Sequence, residues 1–224
     1  MPEQHRILLT RHQATVANQE HTLSGRADVD LTPEGERQMY RAIRAVAAWR
    51  PDRIWTSPLS RCRAIAFEAA EACGVPCEVH ENLAEIEFGP AQGKTVGWLR
   101  ERGYDFPWEI DGEGRSVPIP GAESFEGMYE RSAALLEELR PLTGRTACVT
   151  HGGLTRALLG QLFRAPLTEF WHVRLPNVSS QVLSYDGSKF ALAALGLAPE
   201  EVVRRMEEPW LLGRDTTEHI ATGA

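Results

Sequence analysis

Short apolar runs without alternation recur along this chain, and stretches with helical spacing follow them. Residues 6–10, Arg-Ile-Leu-Leu-Thr, read as a strand buried on both faces. Thr32-Pro33 supplies an N-cap and a first-turn proline, and Ala42, Ile43, Val46, Ala47 and Trp49 follow at helical spacing up to Pro51. A second short strand, Arg53-Ile-Trp-Thr56, leads into Ser57-Pro58, which reads as another cap-and-proline helix start. That helix runs through Ala64, Ile65, Phe67 and Ala70 toward Gly74, and a third strand, residues 77–80, follows at once.

Residues 90–122 break this rhythm. Several glycines and prolines sit there among Trp98, Tyr104, Phe106 and Trp108, the composition of an insertion that folds over a neighbour, with the aromatics serving as packing. Helical spacing returns at 124–140 with Met128, Leu135, Leu136 and Leu139. A fourth buried strand, 146–150, ends at His151, and a helix opens at Gly152-Gly153. Residues 181–185 and 189–195 read as a closing pair joined by Asp186-Gly187. Strands alternating with helices predict a three-layer α/β/α sandwich around a mostly parallel sheet. The expected organisation is one domain over 1–224, with a lid insertion at about 90–122 and a C-terminal tail at about 199–224. Within that tail, Trp210-Leu-Leu is expected to dock on the domain or on a partner.

Composition narrows the function classes. At 42% hydrophobic and 25% charged residues, the chain is of ordinary globular type. The net charge of −7 argues against non-specific binding to nucleic acid or to an anionic membrane. Ile7-Leu8-Leu9 is too short for a signal core or a membrane span, so a cytoplasmic protein is expected. Of the 24 basic residues only Lys94 and Lys189 are lysine, which reads mainly as compositional bias. Four cysteines (62, 73, 77, 148) read as reduced packing residues. The Cys73/Cys77 spacing lacks a second Cys/His pair, so neither a metal nor another cofactor is expected. The oligomeric state is open, a homodimer included.

The chemistry collects at strand ends. Parallel sheets bind ligands at the carboxyl ends of their strands. There the chain carries Arg11-His12, Ser57 to Arg61, and His151-Gly152-Gly153. Two histidines, two arginines and a helix N-terminus gathered in one crevice describe a site for a phosphoryl group. Taken singly each piece has a plain alternative: Arg61 on an exposed helix face, Glu85 as a surface carboxylate, either histidine as a structural residue. His5, His21, His80, His172 and His219 read as structural or surface residues.

At these residues the chain resembles the histidine phosphatase superfamily, the phosphoglycerate mutase-like fold, in its phosphatase branch. The resemblance is carried by Leu9-Thr10-Arg11-His12-Gln13-Ala14-Thr15 with Asn18, and by Leu23-Ser24-Gly25-Arg26. It continues through Asp30-Leu31-Thr32 with Gly35, Thr56 to Arg61, Leu83-Ala84-Glu85, Pro120 to Ser124, Thr150 to Gly153, and Asn177-Val178-Ser179. The resemblance implies hydrolysis of small phosphomonoesters, without metal, through a phosphohistidine on His12. Arg11, Arg61 and His151 would bind the phosphoryl oxygens, and Glu85 would protonate the leaving oxygen. Asn18 and the Gly152 amide would assist, with Thr15, Ser24, Gly25 and Glu123 as candidates for the edge of the substrate site. Two departures stand out: Gln13-Ala14 where the family has glycine and glutamate, and Ala91-Gln92 where its phosphatases carry an aromatic-acid pair. Ile86-Glu87-Phe88 replaces the Arg-His-Tyr segment of the mutases, which favours a phosphatase over a mutase. A non-catalytic relative and a metallohydrolase are the remaining alternatives.

Overall fold

The computed structural model describes residues 5–169 and 171–208. In chain order the elements are β1 (His5–Arg11), α1 (Val16–Gln19), α2 (Pro33–Ala48), β2 (Arg53–Thr56), α3 (Ser60–Cys73) and β3 (Cys77–Val79). They continue with α4 (Val96–Arg100), β4 (Glu109–Ile110), β5 (Ser116–Val117), α5 (Phe125–Leu139), β6 (Gly144–Thr150) and α6 (Gly152–Phe163). The last three are β7 (Ser180–Tyr185), β8 (Phe190–Leu197) and α7 (Pro199–Glu207).

Six strands form one sheet in the order β3-β2-β6-β1-β7-β8. The pairs β1–β6, β2–β6 and β2–β3 are parallel, and β7 and β8 add antiparallel strands at one side. The central strand β1 explains its own sequence. Ile7 and Leu9 enter the core shared with α5 and α6, whereas Leu8 enters the opposite core shared with α2 and α3, so no position faces water. Helices therefore cover both faces, and the α/β/α expectation is met.

Several local expectations hold for the reasons given. Thr32 accepts a hydrogen bond from the Gly35 amide at the start of α2 (2.9 Å), and Pro33 opens the helix. Gly74 closes α3 in the left-handed region at φ +65°. The hairpin turn is held by Asp186, whose carboxylate accepts from the amides of Ser188 and Lys189.

Two expectations need correction. The third helix starts at Ser60, with Leu59 as its N-cap, and not at Ser57-Pro58. The Ser57 amide still donates to the Val149 carbonyl across the sheet (3.0 Å), and its hydroxyl bonds His151, so Ser57 belongs to the strand end. On the same helix Phe67 is 47% exposed, because Cys62, Ile65, Ala66 and Ala69 form the inward stripe.

The 90–122 segment holds α4 and the small β4–β5 hairpin. Its Trp108 is buried and donates its indole N–H to the Glu123 carbonyl (3.0 Å), while Trp98, Tyr104 and Phe106 pack on the α5–α6 core. The start of the tail is helical: α7 packs beside α2, where Arg41 makes a two-pronged contact with Glu200 (2.6 and 2.9 Å). Trp210-Leu-Leu lies outside the described residues. No helix among the described residues is long and apolar enough to cross a membrane. All four cysteines are free thiols.

The buried histidines make stability depend on pH. His5 is fully buried; its Nδ1–H donates to the Leu139 carbonyl (3.0 Å) and Nε2 accepts from the Thr146 hydroxyl (2.7 Å). Burial pushes it down to about 4. A histidine whose folded pKa is depressed contributes stability that is complete above the unfolded value of about 6.5 and is lost as pH falls below it, because only the unfolded chain takes up the proton. His5 alone should therefore remove about 2 kcal/mol between pH 7.5 and pH 5. His12 and His151 shift the same way. Urea titrations across that range should show the midpoint falling with pH; a flat or rising midpoint would contradict these burials.

Candidate active site

The register of the sheet brings the candidate residues together. Arg11 at the end of β1 is level with Thr150 at the end of β6, and Thr56 at the end of β2 is level with Val149. The residues just past these ends, His12, Ser57 and His151, therefore meet at one edge of the sheet. The His12 and His151 rings lie 5.1 Å apart between centroids.

His12 is 3% exposed. Its amide donates to the Thr150 carbonyl (3.0 Å), and its Nδ1 lies 2.6 Å from the Gln13 carbonyl. A carbonyl oxygen only accepts, so Nδ1 carries the proton and Nε2 presents a free lone pair. Burial first, then the Arg61 and Arg11 guanidiniums, holds this imidazole well below its ordinary pKa, in the neutral form. His151 is also fully buried. Its Nε2 shares a 2.7 Å hydrogen bond with the Ser57 hydroxyl and lies 3.4 Å from the Cys62 thiol. Burial, followed by Arg61, His12 and Arg11, keeps it neutral as well. Burial also pushes the Cys62 thiol up to about 12, which leaves it an inert donor.

The arginines are fixed by main-chain oxygens. Arg61 sits in the first turn of α3 and donates to the carbonyls of Ala27 (2.9 Å) and Gly25 (2.6 Å). Gly25 is required there: it lies at φ +49°, and a Cβ would strike the Gln92 amide and the Phe88 ring. Arg11 donates to the Leu175 carbonyl. The Nε–H groups of Arg11 and Arg61 are buried without a hydrogen bond. Two buried donors left unmet would cost about 1–3 kcal/mol each, unless an anion takes them.

The remaining predicted residues are placed as follows. Glu85 accepts from the Gly153 amide through one carboxylate oxygen (3.1 Å) and from the Ile86 amide through the other (3.0 Å), which sets it over the first turn of α6. Gly152 opens that helix. Thr15 and Asn18 form a capping box on α1, so the Thr15 side chain is engaged in helix capping. The Asn18 side-chain oxygen also accepts from Asn177, whose amide reaches the His12 carbonyl (3.1 Å) and ties the loop after β1 to the segment before β7. Ser24 adjoins Gly25 and is partly buried. The Gln13 side-chain amide is buried with no hydrogen bond to either atom.

Sequence reasoning singled out Arg26 and Glu123 but missed Arg131, which braces the segment before Glu85. Arg131 on α5 makes a two-pronged pair with Glu123 (2.7 and 3.0 Å) and donates to the carbonyls of Asn82 (3.1 Å) and Ala84 (3.0 Å). Arg26 donates to the Glu85 carbonyl (3.1 Å). Arg156, one turn into α6, was also missed, although its position four residues after Gly152 places it on the same helix face. Gly153 has a visible purpose too: a Cβ there would overlap the Glu85 carboxylate. Gly153→Ala should displace Glu85 and lower kcat at least tenfold on any reaction that uses this carboxyl group; an unchanged kcat would show that Glu85 is not needed where it stands.

Among the described residues, no group of three or more His, Cys, Asp or Glu side chains is placed to hold a metal ion. What the arrangement offers is a neutral imidazole with a free lone pair under the influence of two guanidiniums, and a carboxyl group held at the first turn of the neighbouring helix α6.

Comparison with known proteins identifies the family. Residues 7–198 match the model of the histidine phosphatase superfamily (branch 1). The chain is 27% identical over 195 residues to Phosphoserine phosphatase 1 of Hydrogenobacter thermophilus, covering 86% of this chain and 92% of that protein. It is 28% identical over 184 residues to Probable phosphoglycerate mutase GpmB of Klebsiella pneumoniae, covering 81% and 86%. Among solved structures, a mycobacterial glucosyl-3-phosphoglycerate phosphatase bound to VO3 superposes with a TM-score of 0.74 at 26% identity, covering 86% of this chain and 99% of that one. The matched span, which takes in most of the chain, makes this chain a member of the histidine phosphatase superfamily.

Proposed function

We propose that this chain hydrolyses small phosphomonoesters in two steps through a phosphohistidine on His12. The observation that carries the reading is the tautomer and setting of His12: proton on Nδ1, lone pair on Nε2, and two guanidiniums with unmet buried donors beside it. In the first step Nε2 bonds to phosphorus as the ester P–O bond breaks, and the leaving oxygen takes a proton from Glu85. In the second step water attacks the phosphohistidine, its proton passes to the Glu85 carboxylate, and inorganic phosphate leaves. Arg11, Arg61 and neutral His151 hold the equatorial oxygens. Positioning and fixed charge supply most of what phosphoryl transfer needs.

The relative named as a mutase raises the reading in which the phosphoryl group returns to a second hydroxyl. Ile86-Glu87-Phe88 stands where the family's mutases carry an Arg-His-Tyr segment that holds the sugar acid, which argues for water as the acceptor. Turnover should persist in a strong chelator and be inhibited by vanadate, which resembles five-coordinate phosphorus. Loss of turnover to the chelator, restored by zinc or magnesium, would contradict the proposed chemistry.

A further inference from the structure

Glu85 hangs from a stretch of chain that no regular element supports. Residues 84–88 lie in neither helix nor strand, so the main-chain groups around Glu85 need partners from elsewhere. Side chains supply them. Arg131 of α5 donates from Nη1 to the Asn82 and Ala84 carbonyls, and Arg26 donates from Nε to the Glu85 carbonyl (3.1 Å). Two residues further on, the Glu87 amide donates to Glu123 Oε2 (3.1 Å), and the Glu87 carbonyl accepts from the Glu123 amide (2.7 Å).

The parts of this frame meet at Glu123. Its carboxylate takes Arg131 through both oxygens (2.7 and 3.0 Å), and Arg26 Nη2 lies 3.5 Å from Oε2. Its own carbonyl accepts from the Trp108 indole (3.0 Å), so the 90–122 segment is tied to the same point. The Glu123 and Arg131 side chains are only 14% and 17% exposed. A two-pronged pair with so little solvent around it is directional, and loss of one partner leaves the other a largely buried, unpaired charge. Both oxygens of Glu123 are thus engaged by the protein's own donors, and each of those donors belongs to, or bonds, the chain that carries Glu85.

We propose that Glu123 is a positioning residue for Glu85. Through Arg131, Arg26 and the Glu87 amide it fixes the main chain so that the Glu85 carboxyl group stands over the first turn of α6. The inference rests on the phosphatase reading above, in which that carboxyl group delivers the proton. A general acid must meet the leaving oxygen at hydrogen-bond distance, and a displacement of about 1 Å costs as much as 10²-fold in rate. The rival is a purely structural ion pair, whose loss would weaken the fold and slow all substrates alike.

Glycerol 3-phosphate and p-nitrophenyl phosphate separate the two. In the burst phase, Glu123→Gln should slow the first step on glycerol 3-phosphate by about 10–10²-fold, and on p-nitrophenyl phosphate by much less. Glu123→Asp, which keeps the charge but shortens its reach, should recover part of the rate. The deciding measurement is a double variant. If Glu123 acts through the Glu85 proton, adding Glu123→Gln to Glu85→Gln should slow glycerol 3-phosphate no further, because no proton is left to misplace. A further loss as large as in the wild-type background would overturn the inference, and so would equal losses on the two esters. Should Glu123→Gln fail to fold, Glu123→Asp takes its place in the same cycle, with a smaller but equally selective loss expected. A wild-type chain that turns over neither ester would sink the phosphatase reading and this inference together. A chain that turns over both, with additive losses in the double variant, would sink the inference alone.

Discussion

His12→Ala is expected to reduce phosphomonoester turnover by on the order of 10⁵-fold or more, the scale on which loss of a covalent nucleophile is felt. No neighbour can take over. His151 is the nearest imidazole, but its Nε2 is held by Ser57 at 2.7 Å, and its ring centre lies 5.1 Å from that of His12. Arg11, Arg61 and the α6 N-terminus would still bind phosphate, so affinity for inorganic phosphate should fall far less than turnover. That split matters, because a merely misfolded variant would lose both. Steady-state rates with p-nitrophenyl phosphate, paired with phosphate binding, provide the check. Turnover within tenfold of the wild-type rate would remove His12 from the chemistry.

Glu85→Gln is expected to separate substrates by leaving group. A sugar or hydroxy-acid phosphate expels an alkoxide, which needs a proton in the transition state, whereas nitrophenolate leaves readily without one. Loss of the general acid should cost roughly 10²–10⁴ in rate on alkyl phosphates. On p-nitrophenyl phosphate the loss in the first step should be much smaller. Glutamine keeps an acceptor for the Gly153 amide, so the geometry of the α6 first turn is largely preserved. Pre-steady-state bursts are the informative measurement, since the proposed mechanism also has Glu85 assist water in the second step. Equal losses on both substrates in the burst would leave Glu85 a positioning role only, with His151 and Glu87 the next groups to test as acid.

Much of this site was legible because its parts are local. Ile7-Leu8-Leu9 is apolar at every position, which marks a strand covered on both faces, and the residue after such a strand is placed by the sheet. Arg11, His12 and His151 could be located that way, and Glu85 through its motif. What could not be read depends on distant contacts. Ser57-Pro58 carries a helix-start signal, but the partner that keeps Ser57 in the strand end is His151, 94 residues away. Arg131 binds the carbonyls before Glu85 from 47 residues away, and no local pattern announces it. Arg156 was accessible in principle through the four-residue spacing from Gly152, yet only the crevice shows that Arg11 shares its space. The β4–β5 hairpin is two residues per strand, too short for any alternation to register. Thr15 offered an oxygen near the nucleophile in sequence, and a capping role emerged from the α1 turn that follows it.

The central claim is a covalent bond between His12 and phosphorus. Wild-type protein mixed with a labelled phosphomonoester and quenched within milliseconds in alkali, where an N–P bond survives, should carry label in a single peptide containing His12, and the His12→Ala protein should carry none. Label on a serine, label persisting in the alanine variant, or an unlabelled wild-type protein that turns over substrate at full rate under single-turnover conditions would contradict it.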